Sequence, residues 1–170
     1  MSIFLNSEYG RNRLTPKQIL FDPVLFLAFG FGSGLVKKAP GTMGTVAAIP
    51  VYWLFAQANN LFYGLLTIFV ILVGIWICGN AADKLGEHDF GGIVWDEMVA
   101  FWLVLIFITP TNFWIQAIAF ILFRFFDAVK PGPIGMIDRY FKNTSNPDIP
   151  SSLPKIIWQG FGIMIDDLAA

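Results

Sequence analysis

Two long apolar stretches dominate the pattern of hydrophobic and polar residues along the chain. No Asp, Glu, Lys or Arg occurs from residue 39 to residue 82, or from residue 98 to residue 123. Each stretch is interrupted once, at residues 58–60 and at residues 109–112, by short segments that contain Asn or Pro. Asn and Pro favour turns, so the pattern predicts two helical hairpins. The helices predicted in this way cover residues 45–57, 61–79, 99–108 and 113–126.

The composition indicates that these helices lie in a membrane. Apolar residues make up 56% of the 170 residues, charged residues make up 14%, and the mean hydropathy is +0.64. In soluble domains, apolar residues average roughly 45–50% and charged residues about 25%. We therefore predict an all-α fold: a polytopic membrane helical bundle with about four transmembrane or membrane-embedded helices and an N-terminal interfacial helix. We expect one domain over 1–170, with an interfacial segment over 1–28 and a polar loop over 142–158.

The distribution of charge predicts the orientation of the bundle. The two turns carry no charge, whereas the Lys and Arg residues flank the opposite ends of the helices. Basic residues favour the cytoplasmic side, so both hairpins should extend from one cytoplasmic face. The basic residues form no stripe with interleaved aromatic residues, which argues against nucleic acid as a partner, and no protein partner is indicated. Cys78 is the only cysteine, so neither a disulfide framework nor a cysteine-based metal site is expected.

Carboxylates collect near the same predicted face and are candidates for chemistry. Asp96 and Glu97 lead directly into the third predicted helix, Asp127 leaves the fourth, and Asp166 and Asp167 sit between apolar residues. Ionisable groups at membrane depth are costly and usually mark functional sites, although a charged helix end at the water interface is the ordinary alternative. Oxygen ligands of this type suit Mg²⁺. Adjacent helical residues point about 100° apart, so the ligands of one ion should come from several helices.

The segment RFFDAVKPGP carries a second set of charged residues. Arg124, Asp127 and Lys130 are spaced at i, i+3 and i+6, which places them on roughly one face of a helix. One interpretation is a salt-bridged strip that reaches the membrane interface. The other is a site in which Asp127 holds a metal ion and the two cations hold a phosphate.

The glycine-rich stretch GFGSGLVKKAPGTMG, residues 30–44, also allows two interpretations. Glycine lets the backbone approach an anion closely, and free N–H groups with the hydroxyls of Ser33 and Thr42 are suited to binding phosphate. The stretch matches neither the dinucleotide fingerprint nor the P-loop, because the required spacings and the GK[ST] ending are missing. The alternative is a flexible or tightly packed connector between two helices.

Several classes of phosphatase are excluded by what the sequence lacks. A cysteine phosphatase needs an Arg six residues after its thiolate, but Lys84 stands six residues after Cys78. The single histidine, His88, excludes a site with two histidines, and neither D-x-D-x-T nor G-x-S-x-G occurs. Hydrolysis assisted by a metal ion and carboxylates remains. The alternative from another class is a small membrane transporter or channel, with the glycine-rich stretch as a re-entrant loop and the acids near mid-membrane.

Four motifs, in their order and spacing, resemble the phosphatidylglycerophosphatase A family from residue 29 onward. They are GFGSGLVKKAPGTMGTVAAIP, GIVWDEMVAFW, FRFFDAVKPGPI followed by MIDR, and GFGIMIDD. The resemblance implies a Mg²⁺-dependent lipid phosphatase of the bacterial inner (cytoplasmic) membrane, with its active site on the cytoplasmic face and membrane lipids around it. The implied reaction converts phosphatidylglycerophosphate into phosphatidylglycerol and inorganic phosphate in glycerophospholipid biosynthesis.

The family's motifs match charged and glycine positions in all four segments, including Asp138, Pro40 and Gly44, and we infer individual roles for them. The expected metal ligands are Asp96, Glu97, Asp127, Asp166 and Asp167. The expected catalytic residues are Asp96, Glu97, Asp127, Lys130 and Arg124, with Asp96 or Glu97 as the base toward water. The expected phosphate-binding residues are Gly32, Ser33, Gly34, Gly41, Thr42 and Arg139.

Two features depart from the family pattern. The polar segment over 142–158 is longer than the resemblance implies and is expected to reshape access to the site. The family continues past the acidic pair with a further apolar span, whereas this sequence stops at Ala170. We therefore expect Asp166 and Asp167 to sit on a poorly anchored helix end.

Overall fold

The computed structural model describes residues 15–57, 59–87, 90–108, 112–130, 135–136, 140–141 and 152–169. Within these residues the protein is helical and contains no strand, which confirms the predicted all-α class. The helices are α1 (Pro16–Phe21), α2 (Pro23–Ala28), α3 (Pro40–Phe55), α4 (Asn60–Leu85), α5 (Trp95–Phe107), α6 (Phe113–Val129) and α7 (Leu153–Ala169). A 3₁₀ segment at Gly30–Leu35 lies between α2 and α3.

The four predicted hairpin helices correspond to α3, α4, α5 and α6, and the differences lie at their ends. α3 begins at Pro40 rather than at residue 45. Proline at the first helical position is favourable because its φ angle is already fixed near the helical value. Asn59 and Asn112 cap α4 and α6, since each side chain accepts a hydrogen bond from a backbone N–H of the following turn. The predicted breaks are therefore confirmed as helix starts.

Within the described residues, α4 is the one helix with the length and composition needed to cross a membrane. Its Leu61–Leu85 portion has 25 residues and a mean hydropathy of 2.6. α3, α5 and α6 contain 16, 13 and 17 residues. At about 1.5 Å per residue these helices are shorter than the roughly 30 Å hydrocarbon core of a bilayer. The predicted bundle of about four membrane helices is therefore not confirmed and stays a prediction.

Two short helices precede the glycine-rich stretch. The Asp22 side chain caps α2 by accepting hydrogen bonds from two of its N–H groups, and it forms an ion pair with Lys84 at the end of α4. Burial works against ionisation, but the hydrogen bonds from Lys84 and the backbone keep the pKa of Asp22 below its usual value. Residues 1–14 of the predicted interfacial segment lie outside the described residues. Its position at a membrane surface stays a prediction.

α5 is the central helix of the bundle, and most of its residues are buried. Trp102 Nε1 donates a hydrogen bond of 2.8 Å to the Ala48 carbonyl oxygen of α3. The Tyr63 hydroxyl of α4 donates one of 2.9 Å to the Trp102 carbonyl oxygen. These bonds tie α3, α4 and α5 together near the middle of α5, and they fix how α5 is rotated about its axis. The rotation decides where the side chains at the start of α5, including Glu97, point.

α7 crosses α4 at very short distance. A Cβ atom at Gly79 would lie 1.9 Å from the Ile156 carbonyl oxygen. One at Gly160 would lie 1.7 Å from the Ile75 carbonyl oxygen. Glycine is therefore required at both positions, because any side chain would push the two helices apart. Small residues at such crossings let helix backbones approach closely.

Two expectations about the end of the chain are wrong. α7 is anchored along α4 by the glycine crossing and by an ion pair of 3.0 Å between Lys155 and Asp83, so Asp167 does not sit on a poorly anchored end. α7 also begins at Leu153, so the last part of the predicted polar loop over 142–158 is helical. Pro154 is tolerated there because N–H groups in the first turn of a helix have no helical partner. Residues 142–151 lie outside the described residues.

Candidate metal and phosphate site

Three carboxylates from three helices converge near the start of α5. Glu97 is in the first turn of α5, Asp127 is in the last turn of α6, and Asp167 is near the end of α7. One carboxylate oxygen of each lies within 4.8 Å of the other two. Asp127 and Asp167 are buried, and Glu97 is partly buried. We call Glu97, Asp127 and Asp167 the acid triad.

Arg124 neutralises part of the charge of the acid triad. Its Nη1 atom lies 2.5 Å from Oδ2 of Asp127 and 3.1 Å from Oε2 of Glu97. Asp127 needs a nearby cation because the helix dipole disfavours a negative charge at a helix C-terminus, whereas Glu97 lies at a favourable N-terminus. Lys130 also acts on Glu97, so three carboxylates face two cations and an excess of negative charge remains. Burial makes this excess costly unless another cation offsets it.

The acid triad fits a divalent cation. All three donors are carboxylate oxygens, which are preferred ligands of Mg²⁺ and Ca²⁺. Two oxygens on one ion lie at most twice the metal–oxygen distance apart, which is about 4.2 Å for Mg²⁺ and about 4.8 Å for Ca²⁺. The observed limit of 4.8 Å matches the value for Ca²⁺, whereas the carboxylates would have to move closer together around Mg²⁺. The donor set of the acid triad is therefore one that can hold a divalent metal ion.

Asp96 lies outside this group, although the sequence predicted it as a metal ligand and as the base. Its side chain is buried, and its backbone N–H contacts the sulfur of Cys78 on α4. Asp96 and Glu97 are adjacent on one helix, so their side chains point about 100° apart. Asp96 therefore does not join Glu97 in the acid triad, and its expected roles as a metal ligand and as the base stay predictions.

Lys130 lies at the edge of the site. It ends α6 in the left-handed conformation, with a φ angle of 43°, and it is close enough to Glu97 to act on it electrostatically. Asp138 and Arg139 lie outside the described residues, and the side chain of Asp166 is not described either. The roles expected for these three residues stay predictions.

The second half of the glycine-rich stretch forms a wall of the site. Pro40, Gly41 and Thr42 make the first turn of α3. A Cβ atom at Gly41 would lie 2.0 Å from Oε1 of Glu97, so the carboxylate rests directly against the glycine backbone. Among the described residues no side chain caps this helix start. The positive end of the helix dipole and the first N–H groups of α3 therefore lie beside the acid triad.

The first half of the stretch forms a tight turn. The backbone N–H groups of Gly32 and Gly34 donate to the Phe29 carbonyl oxygen, at 3.0 and 2.9 Å. The Ser33 hydroxyl donates to the Gly30 carbonyl oxygen at 2.8 Å. These donors are thus paired within the turn. The stretch over residues 30–44 consists of two local structures, and the phosphate-binding roles expected for Gly32, Ser33 and Gly34 stay predictions.

Comparisons with known proteins agree with the motifs. The profile of phosphatidylglycerophosphatase A matches residues 26–170. The chain belongs to the phosphatidylglycerophosphatase A family. A phosphatidylglycerophosphatase A of Escherichia coli (strain K12) is 39% identical over 150 residues, covering 88% of this chain and 77% of the relative. One of Haemophilus influenzae is 40% identical over 162 residues, covering 94% of this chain and 88% of the relative.

A more distant relative carries a different substrate in its name. It is a Bacteroides thetaiotaomicron protein named as a candidate phosphatidylinositol-3-phosphatase. It is 33% identical over 161 residues, which cover 91% of this chain and 89% of the relative. No solved structure matches the chain. The family resemblance predicted from the four motifs is confirmed.

Proposed function

We propose that the protein hydrolyses phosphatidylglycerophosphate to phosphatidylglycerol and inorganic phosphate. Its family and the names of two relatives support this reaction. The observation that carries the proposal is the convergence of Glu97, Asp127 and Asp167 to within 4.8 Å, beside the uncapped start of α3. A cation site next to a helix N-terminus suits the binding and hydrolysis of a phosphomonoester.

Mg²⁺ is the proposed cofactor, and the carboxylates of the acid triad are its proposed ligands. Mg²⁺ is usually held by a few carboxylates together with water and substrate phosphate. When bound, the ion would neutralise charge on the phosphoryl group and lower the pKa of a coordinated water. Asp166 is a further proposed ligand on sequence grounds alone.

Arg124 and the start of α3 are proposed to bind the phosphate. The guanidinium of Arg124 has five N–H donors, and its ion pairs with the acid triad both use Nη1. The other donors are available for phosphate oxygens, while the two carboxylates keep the group oriented. The backbone N–H groups of Gly41 and Thr42 would donate to the same phosphate. Lys130, and Arg139 on sequence grounds, would offset the charge that develops in the transition state.

The hydrolysis itself needs a proton acceptor and a leaving alcohol. A carboxylate oxygen of Glu97 is proposed to take a proton from water while the water oxygen attacks phosphorus. The bond between phosphorus and the glycerol oxygen breaks, and that oxygen takes up a proton to give phosphatidylglycerol. Asp96 is proposed to hold the first turn of α5 in place through the contact of its backbone with Cys78.

The proposed location is the bacterial inner membrane, with several embedded helices and the site at the cytoplasmic face. Large apolar side chains of α4 are exposed from Leu61 to Trp76, which is about 22 Å along the helix. Soluble monomers rarely expose apolar patches of this extent. A Cβ atom at Gly74 would lie 2.8 Å from Trp95 Nε1, so the start of α5 is near the Trp76 end of this band. This supports an enzyme at one membrane face over the alternative of a transporter with acids at mid-membrane.

Phosphate release from phosphatidylglycerophosphate in detergent micelles tests the proposal. The wild-type protein should release phosphate with Mg²⁺ and stop when the ion is chelated. Asp127→Asn should release no phosphate with or without Mg²⁺. The control Asp22→Asn changes an acid outside the site and should release phosphate with Mg²⁺ as the wild type does. Phosphatidylinositol 3-phosphate is the comparison substrate. Faster release from that lipid would replace the proposed substrate, and release that does not depend on a divalent cation would contradict the proposed mechanism.

A further inference from the structure

An open apolar groove runs between α3 and α6. Its volume is about 200 Å³. Its walls are formed by Val46, Ile49 and Trp53 of α3 and by Phe113, Ala117 and Phe120 of α6. The polar residue on its wall, Gln116, is almost fully buried. The groove therefore offers an elongated apolar surface that matches a hydrocarbon chain.

Along α6, the groove leads directly to the acid triad. Phe113, Ala117, Phe120, Arg124 and Asp127 follow one another at intervals of four, three, four and three residues. Residues at this spacing share one face of a helix. The face of α6 that lines the groove therefore carries, one turn further on, the cation and the carboxylate of the candidate site.

The same continuity holds along α3. Thr42 is followed by the three α3 residues of the groove at intervals of four, three and four residues. The α3 wall thus ends at the first turn of the helix, where Gly41 rests against Glu97. Between the two walls, the ring of Phe101 on α5 packs 6.0 Å from that of Phe120. Both walls extend toward the candidate site, and α5 packs against the α6 wall through Phe101.

A second apolar groove, on the other side of α3, serves as a comparison. It has a volume of about 150 Å³ and is lined on α3 by Val51 and Phe55. Along α3, this face leads back at helical spacing to Gly44, where an added Cβ atom would lie 2.6 Å from Val94. Close packing against Val94 therefore ends the α3 face of this groove before the first turn of the helix. The two grooves are both mainly apolar, and they differ in whether their α3 face continues to Gly41 and Thr42.

We propose that the groove between α3 and α6 binds one acyl chain of the lipid substrate. The proposal rests on the proposed function, which supplies a lipid with a terminal phosphate. From Thr42 to Trp53 the groove face of α3 is about 16 Å long, which corresponds to about 13 bonds of an extended chain at about 1.2 Å per bond. A chain in this groove directs the polar end of the lipid toward the start of α3. The phosphomonoester is then presented to Arg124 and Asp127.

The contribution of the groove is orientation rather than affinity. An acyl chain leaves one apolar environment, the bilayer, for another, so it gains little hydrophobic free energy by entering the groove. Fixing the chain restricts the directions from which the phosphate can approach, and correct alignment of a reacting group accelerates a reaction. The groove therefore makes the site selective for lipid phosphates over soluble phosphomonoesters.

Val46→Trp and Val51→Trp form a matched pair, since each adds the same ring to α3 but in a different groove. The substrates are dioleoyl phosphatidylglycerophosphate in mixed micelles and its deacylated form, glycerophosphoglycerophosphate. Val46→Trp should lower kcat/KM for the lipid by at least about tenfold and leave that for the deacylated substrate unchanged. Val51→Trp should leave both values unchanged. Ala117→Phe, which fills the first groove from α6, should reproduce the effect of Val46→Trp.

Two results would overturn the acyl-chain site. The first is that Val46→Trp and Ala117→Phe change kcat/KM equally for the lipid and for the deacylated substrate. The second is that Val51→Trp lowers kcat/KM for the lipid as much as Val46→Trp does. Failure of the wild-type protein to release phosphate from the lipid would instead contradict the proposed function. Photo-crosslinking of the wild type guards against variants that fail to fold. Phosphatidylglycerol with a mid-chain diazirine should label α3 and α6 in the groove, and excess phosphatidylglycerophosphate should suppress this labelling but not the labelling of α4. Unsuppressed labelling of the groove would overturn the proposal.

Discussion

The start and the middle of α5 are held in opposite ways. In the middle, Trp102 donates a hydrogen bond to Ala48 and accepts one from Tyr63, so polar groups of three helices are paired within the protein. At the start, the acid triad brings carboxylates of three helices to within 4.8 Å, and Arg124 offsets part of their charge. The first arrangement stabilises the fold by itself, whereas the second holds like charges close together. We infer that the middle of the helix serves stability and that its start serves function.

Of the changes considered, Asp127→Asn should have the largest effect on activity, because it alters the acid triad at the start of α5. The substitution removes a proposed ligand and an ion-pair partner of Arg124, so phosphate release should fall by at least about 100-fold. It also relieves the crowding of like charges, so the metal-free protein should unfold at the same temperature as the wild type or a higher one. Phosphate release and thermal unfolding of the same sample check both parts. A large decrease in melting temperature would contradict the idea that this end is built for function rather than stability.

Gly41→Ala tests the start of α5 more selectively, because it should displace Glu97 and leave the other two carboxylates of the acid triad in place. The added Cβ atom would lie 2.0 Å from Oε1 of Glu97, and phosphate release should fall by at least about tenfold because the carboxylate must move. The matched control is Gly64→Ala in α4, where no atom lies within 4 Å of the added Cβ. The control should keep full activity and gain about 1 kcal/mol in the free energy of unfolding. Equal activity of the two variants would show that Glu97 is not held against α3.

Tyr63→Phe tests the hydrogen-bonded middle of α5. It removes the hydroxyl that donates to the Trp102 carbonyl oxygen, and the free energy of unfolding should fall by about 1 kcal/mol. The kcat/KM of the folded protein should not change. Denaturant unfolding in detergent and phosphate release are the measurements. A loss of activity without a loss of stability would mean that the middle and the start of α5 are not separate in function.

The smallest effect concerns the ion pair between Asp22 and Lys84, away from both ends of α5. The pKa of Asp22 is lowered in the folded protein. The pair therefore stabilises the fold above the pKa of an unfolded Asp, about 3.9, and its contribution is lost as the pH falls through the lower folded value. Lys84→Met should make the free energy of unfolding depend less on pH below about pH 3.9. The effect should be small because both groups of the pair are partly exposed. A curve unchanged by the substitution would show that the pair contributes nothing.

The helices α3 to α6 were predictable from the sequence because the signals that define them are local. Charge-free apolar runs and the caps at Asn59 and Asn112 locate α4 and α6. The packing of α7 was not predictable, because it depends on Gly79 and Gly160, which are far apart in sequence and meet only in the folded chain. Neither glycine stands out by its neighbours in the sequence.

The candidate site was predictable in its chemistry but not in its membership. Carboxylates near helix ends identified five acids, and helix geometry already implied that Asp96 and Glu97 could not point to the same ion. The rotation of α5 decides which of these two side chains points toward Asp127. Contacts such as the hydrogen bond of Trp102, in the middle of the helix, set that rotation. Gly41 carried a usable signal, since a small residue just after Pro40 indicates a helix start that something approaches closely.

The most direct test of the central claim is the effect of Mg²⁺ on the melting temperatures of the wild type and Asp167→Asn. Asp167 comes from the last helix, so it joins the site only if α7 packs against α4 and α5 as described. A ligand that binds only the folded protein stabilises it. The wild type should therefore melt at higher temperature as Mg²⁺ is added, and Asp167→Asn should lose this shift while keeping its metal-free melting temperature. An equal shift in the two proteins would contradict the claim that the acid triad binds the cation.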